Sequence, residues 1–100
     1  MEAEIVERLD DIRLLFKKYG AERAFLFGSA ATGSMNSRSD VDFVFSFPAE
    51  MDYVRYSDNY FALAHALEEL LGRNVDLVAE KTLQNPYLIQ SIEKSKVRLV

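Results

Sequence analysis

The sequence predicts a small α/β domain, with helices packed on a four-stranded sheet. Three observations predict it. Residues 5–19 and 57–71 carry apolar side chains at the three- and four-residue steps of a helix. Residues 23–27, 40–47 and 74–78 are short β-prone runs bounded by glycine, proline or polar residues, as strands are. These segments alternate along a chain of 100 residues, a length that holds one core, so residues 1–100 are expected to form a single domain.

Each element has its own local reason. In the first helix Ile5, Leu9, Ile12, Leu15, Phe16 and Tyr19 form one stripe, while Glu4, Glu7, Arg8, Asp11, Lys17 and Lys18 face away. Acids crowd its start and bases its end, as the helix dipole prefers, and Gly20 is a suitable stop. The acidic residues at the N-terminus read as a solvated face. Residues 23–27 lie between Gly20 and Gly28 and read as a buried strand. From Gly28 to Ser39 small and polar residues take over, which predicts a loop with room for one helical turn.

The run 40–47 alternates: Val41, Phe43, Phe45 and Phe47 share one face, and Asp40, Asp42 and Val44 the other. Pro48 ends it. Residues 49–55 give no clear signal, although Tyr53, Arg55, Tyr56 and Tyr60 lie close together and suit either packing or an interface. The helix over 57–71 buries Tyr60, Leu63, Ala64, Leu67, Leu70 and Leu71, with Gly72 as its stop and His65 at its surface or boundary. A third strand covers 74–78. Asn85 and Pro86 suit the N-cap and first position of a helix reaching Lys94, and a last strand covers 97–100.

Composition narrows the chemistry. Cysteine is absent and there is one histidine, which removes disulfides, thiolate ligands and a histidine-rich zinc site. The net charge of −4 disfavours stand-alone nucleic-acid binding, which requires cations to neutralise phosphates. No apolar run approaches the roughly 20 residues of a membrane span. The start Met1-Glu2-Ala3-Glu4 is acidic where a signal peptide is basic, so a cytoplasmic soluble domain is expected.

Three features carry chemistry together: Gly28-Ser29 after a buried strand, Asp40-Val41-Asp42 at the start of the next, and Asp76 as the lone charge in Val75-Asp76-Leu77-Val78. Alternation places Asp40 and Asp42 on one face, about 7 Å apart along the backbone. With the third strand beside the second, Asp76 joins them. Carboxylates at close range resist ionising together, and a divalent cation relieves that repulsion. An all-oxygen ligand set selects Mg²⁺ or Mn²⁺, which complete their shells with water and phosphate oxygens. Gly28 lets backbone approach a ligand closely, Ser29 and the amides after it can donate to phosphate, and Gly33 permits a second bend. A phosphate cradle beside carboxylates suits phosphoryl or nucleotidyl transfer.

Gly28-Ser29, ten residues, then Asp40-Val41-Asp42, with Asp76 as a third acid, resembles the signature of the minimal nucleotidyltransferases of the DNA polymerase β superfamily. The resemblance spans nearly the whole chain. It implies the nucleotidyltransferase fold, an α/β fold with a mixed four-stranded sheet. It implies that Asp40, Asp42 and Asp76 are catalytic and hold Mg²⁺ (or Mn²⁺), Asp76 also helping to deprotonate the acceptor. Gly28, Ser29, Gly33, Arg38 and Ser39 would hold the nucleoside triphosphate, most often ATP. Many relatives have loop arginines where this chain has Ala30, Thr32 and Asn36, leaving Arg38 as the loop's one cation. Small members often pair with a HEPN-type toxin and, as antitoxins, transfer AMP to it. The resemblance therefore implies a partner protein, or a second copy of this chain in a homo-oligomer, that presents the acceptor. A binding antitoxin without catalysis and a small-molecule nucleotidyltransferase are the rival readings.

Overall fold

A computed structural model describes residues 1–100. The elements run α1 (Ala3–Glu7), α2 (Leu9–Lys18), β1 (Arg23–Phe27), α3 (Ser29–Thr32), β2 (Val41–Ser46), α4 (Tyr53–Leu71), β3 (Val75–Ala79), a 3-10 turn (Glu80–Thr82), α5 (Pro86–Ser95) and β4 (Val97–Arg98). The sheet order is β3-β2-β1-β4. β1 runs antiparallel to β2 and β4, and β2 runs parallel to β3. A parallel neighbour needs a long crossover, and α4 supplies it.

The α/β class and the mixed sheet match expectation, while the third strand runs Val75–Ala79 rather than 74–78, the last covers only Val97–Arg98 rather than 97–100, and three further boundaries differ. The leading helix is not continuous: it breaks at Arg8, whose φ of −105° and ψ of 6° leave the helical range. The short first piece is tied elsewhere. The Glu2 amide donates to the Ala30 carbonyl at 2.9 Å, while Ile12 and Phe16 of α2 are drawn into the core. The long helix starts at Tyr53 rather than 57, because the Asp52 carboxylate accepts from the Arg55 amide at 2.9 Å and caps the extra turn. The second strand is shorter at both ends than the alternating run, and Asp40 precedes its first residue.

Burial is uneven across the sheet. On one face α1, α2 and α4 bring Ile5, Ile12, Phe16, Leu63 and Leu67 onto Leu26, Val41, Phe43, Phe45 and Leu77. Phe16 meets Phe43 edge-on with ring centres 5.3 Å apart. On the other face only Phe27, Val44 and Ile92 of α5 are buried together. The charged residues of β2 and β3 lie on this thinner side. No helix is long and apolar enough to cross a membrane.

Candidate active site

Strand register assembles the site. Phe27 pairs with Asp42, and Asp42 pairs with Asp76, which makes one row across β1, β2 and β3. One step along, Phe25, Val44 and Val78 form the next row. Side chains alternate, so Asp42 and Asp76 point to the face that α5 covers in part. Ile92 seals Val44, and beyond it the face opens. Asp42 is half-buried, and Asp40 and Asp76 are exposed.

The three acids share one electrostatic environment. Burial, then the charge of Asp76, then that of Asp40, push the Asp42 carboxyl up from 3.8 to about 6. No group of three or more histidine, cysteine or acidic side chains is already drawn to metal-ligand spacing. The protein alone therefore brings the acids within mutual influence without closing a cage.

Gly28 presses directly on Asp42. A Cβ at Gly28 would collide with the Asp42 carboxylate oxygen Oδ2. Its φ of 72° and ψ of −153° also belong to a region that glycine alone adopts freely. Ser29 opens α3, whose first amides have no acceptor inside the helix. The Gly28 carbonyl accepts from the amides of Ala31 and Thr32, both at 3.1 Å. Gly33 closes the turn at φ 81°, and the Ser29 carbonyl takes the amides of Gly33 and Ser34, both at 3.0 Å.

The other loop residues lie further along. The Asn36 side chain accepts from the Arg38 amide at 2.8 Å, and Ser39 Oγ accepts from the Asn36 amide at 3.0 Å. Arg38 is exposed. Arg38, Ser39 and Asp40 border an open polar depression of about 590 Å³, together with Glu68 and Arg73. Gly28, Ser29, Asp42 and Asp76 do not line it. The eight expected site residues thus fall into a compact group, Gly28, Ser29, Asp42 and Asp76 with Asp40 beside it, and a flanking loop that holds Gly33, Arg38 and Ser39.

Sequence reasoning missed the groups that hold this loop. Arg73 donates to the carbonyls of Asn36 at 2.9 Å and Ser39 at 3.1 Å, and its guanidinium also pairs with the Glu4 carboxylate. Glu2 accepts from the Met35 amide at 2.8 Å. Glu4 and Glu7 are exposed as the expected solvated face requires, but Glu2 and Glu4 also anchor the loop, a role that expectation did not include. The available signal was a lone arginine between Gly72 and the Asp76 strand. His65 lies at the surface as expected, 3.1 Å from Glu69. Tyr56 and Tyr60 pack around Phe45, and the Tyr60 hydroxyl donates to the Leu77 carbonyl at 2.9 Å, while Tyr53 is exposed. Burial, then the charges of Asp76 and Tyr56, raise the Tyr60 pKa above its ordinary value, so the edge of β3 also registers the Asp76 charge.

Comparison with known proteins places the chain in a family. Residues 7–99 match the model of the nucleotidyltransferase domain family. A Methanocaldococcus jannaschii protein, provisionally named a protein adenylyltransferase, is 38% identical over 85 residues, covering 85% of this chain and 83% of its own. A solved structure, provisionally named a minimal nucleotidyltransferase, is 31% identical, covers 97% of this chain and 95% of that one, and superposes with a TM-score of 0.74. A Shewanella oneidensis complex, described as a tri-AMPylated HEPN toxin with its MNT antitoxin, has a chain that shares the fold. That chain superposes at a TM-score of 0.66 and 21% identity, over 95% of this chain and 71% of its own. With a matched family model over almost the whole length and relatives above the level of chance likeness, the chain belongs to the nucleotidyltransferase domain family, among its minimal members, and its chemistry is nucleotidyl transfer.

Proposed function

We propose that the chain transfers AMP from ATP to a hydroxyl of a partner protein, and that the partner is a HEPN-type toxin which this chain holds in check. The observation that carries the reading is Asp42. It is a carboxylate pressed against Gly28, beside Asp76 in register, its pKa held up to about 6 by burial first and then by the charges of Asp76 and Asp40. An arrangement that resists its own charge is prepared for a cation that arrives with a triphosphate. Support for the adenylyl group and the protein acceptor comes from the named relative and the AMPylated toxin complex.

The donor set fits a hard cation: the carboxylates of Asp42 and Asp76 in the row and of Asp40 just before it, with no nitrogen or sulfur donor in the row. Asp40, Asp42 and Asp76 would hold Mg²⁺ or Mn²⁺, and the incomplete cage suits an ion that keeps water and phosphate oxygens as ligands. When bound, that ion neutralises the acids and the phosphate oxygens together. The chain's own groups then divide the work. Gly28 and the first amides of α3 receive the triphosphate, with Ser29 as a further donor. Gly33 shapes the turn, and Arg38 and Ser39 border its outer side. Asp76 is exposed on β3, the free edge of the sheet, open to an incoming hydroxyl. It takes the hydroxyl proton as the acceptor oxygen bonds to the α-phosphorus and the bond to the bridging oxygen breaks, releasing pyrophosphate.

The test is transfer of label. The purified chain is incubated with α-labelled ATP, Mg²⁺ and the protein encoded beside it. Label is expected on that protein with the wild type and none with Asp42→Ala. Toxin neutralisation that survives Asp40→Ala and Asp42→Ala, with no label in any lane, would replace the enzyme with a binder.

A further inference from the structure

Asp40 lies outside the strand, on the last residue of a polar loop, so nothing in the sheet ladder fixes it. The residues on either side of it are nevertheless held, and both by one short segment. Before it, the Ser39 carbonyl accepts from Arg73 Nη1 at 3.1 Å, and the same nitrogen reaches the Asn36 carbonyl at 2.9 Å. After it, the Val41 amide donates to the Asn74 carbonyl at 3.0 Å. Arg73 and Asn74 lead directly into β3, three and two residues ahead of Asp76. The guanidinium is oriented from behind: its Nε and Nη2 meet the two Glu4 oxygens at 3.2 and 2.9 Å, a forked pair that fixes the plane. The Arg73 side chain is 19% exposed and that of Glu4 45%.

We propose that Arg73 is a positioning residue which fixes Asp40 relative to Asp76, with Glu4 of α1 holding its guanidinium in plane. The proposal rests on the reading of Asp40 and Asp76 as parts of one nucleotide site. It also gives the N-terminal segment a role: α1 is the back support of the site. A lysine cannot replace Arg73, because an ammonium lacks the planar fork that serves a carboxylate and two carbonyls at once.

The variants are Arg73→Lys, and Glu4→Ala as the milder change on an exposed side chain. Three measurements are made below the melting temperature of each variant: amide hydrogen exchange over residues 36–41, calorimetric affinity for ATP with Mg²⁺, and kcat at saturating ATP. Exchange is expected to quicken about tenfold in Arg73→Lys, the factor that loss of one charge-assisted bond produces, and less in Glu4→Ala. Affinity and kcat are expected to fall in the same order. A support that merely stabilised the fold would lower the melting temperature and leave affinity and kcat alone. Wild-type transfer with variants equal to it in affinity and kcat overturns the inference and leaves the proposed function standing. A wild type that binds no nucleotide defeats the proposed function instead, and unchanged exchange at residues 36–41 in Arg73→Lys then overturns the clamp as well.

Discussion

Gly28→Ala tests the closest contact in the site. The backbone at Gly28 has φ 72° and ψ −153°, and holding a residue with a Cβ there costs about 1–3 kcal/mol. The new Cβ would also strike Asp42 Oδ2, and displacing a packed group costs about 1–3 kcal/mol more. The sum, about 2–6 kcal/mol, is a large part of the 5–15 kcal/mol that holds a typical domain together. For a domain of 100 residues each kcal/mol lowers Tm by about 4–8 °C, so a fall of roughly 10 °C or more is expected in thermal melts. Gly33→Ala is the control. Its φ of 81° is also left-handed, but no atom lies within 4 Å of its Cβ, so it should lose only about 1–2 kcal/mol. The double variant Gly28→Ala/Asp42→Ala separates strain from collision: removing the carboxylate should restore the steric share and appear as a coupling of about 1–3 kcal/mol. Equal melts for Gly28→Ala and Gly33→Ala, with no coupling to Asp42→Ala, would refute the contact as the reason for glycine.

Asp42 gives a pH signature. Its folded pKa of about 6 lies above the ordinary value of 3.8, so between those pH values the unfolded chain ionises first and stability falls as pH rises. Below that window the carboxyl is protonated in both states and the cost vanishes; above it the full cost remains. Asp42→Asn should therefore melt above the wild type at pH 8, and the gap should close toward pH 4; a gap independent of pH would contradict the reading. Mg²⁺ should raise the Tm of the wild type with ATP present, following mass action, and leave Asp40→Asn and Asp42→Asn almost unmoved in the same scanning assay. Asn85→Ala removes the cap that accepts from the amides of Tyr87 at 2.9 Å and Leu88 at 3.3 Å. It should cost about 1 kcal/mol in urea unfolding while transfer per folded molecule stays the same.

The parts of this fold that show in the sequence are those with a short period. Alternation in β2 sorted Val41, Phe43 and Phe45 from Asp42 correctly, because a strand reverses its faces at each residue. The first turn of α4 was obscured by Tyr53 and Val54. Both are large and apolar yet 84% and 68% exposed, so they break the stripe that marks a helix. The acids Asp40, Asp42 and Asp76 were legible through their spacing and the family signature. The row Phe27-Asp42-Asp76 was not, because it requires strand order, which no local pattern encodes. The Arg73–Glu4 pair was hidden for the same reason: its partners are 69 positions apart, and each alone looks like an ordinary surface charge.

The uneven core explains how the chain tolerates such a site. Half-burying Asp42 carries a desolvation cost, and the charges of Asp76 and Asp40 beside it add to that cost, so the site works against folding. Those costs fall on the face where only Phe27, Val44 and Ile92 are buried. The opposite face carries the fully buried Phe16, Phe43 and Phe45 with the helices that cover them, and hydrophobic stabilisation follows area removed from water. β2 belongs to both faces at once. Its odd-numbered residues, Val41, Phe43 and Phe45, are locked into the large core, and this fixes the backbone from which Asp42 projects. A carboxylate held that way cannot relax from its neighbours by shifting the strand, so the repulsion persists until a cation or a proton removes it. By the same reasoning Ile92→Ala, on the thin face, should loosen α5 and leave Asp42 in place. Phe43→Ala should lose about 3–5 kcal/mol and nucleotide binding together, as read by urea unfolding and calorimetry. Binding that survives Phe43→Ala in the folded fraction would show that the large core does not set the position of Asp42.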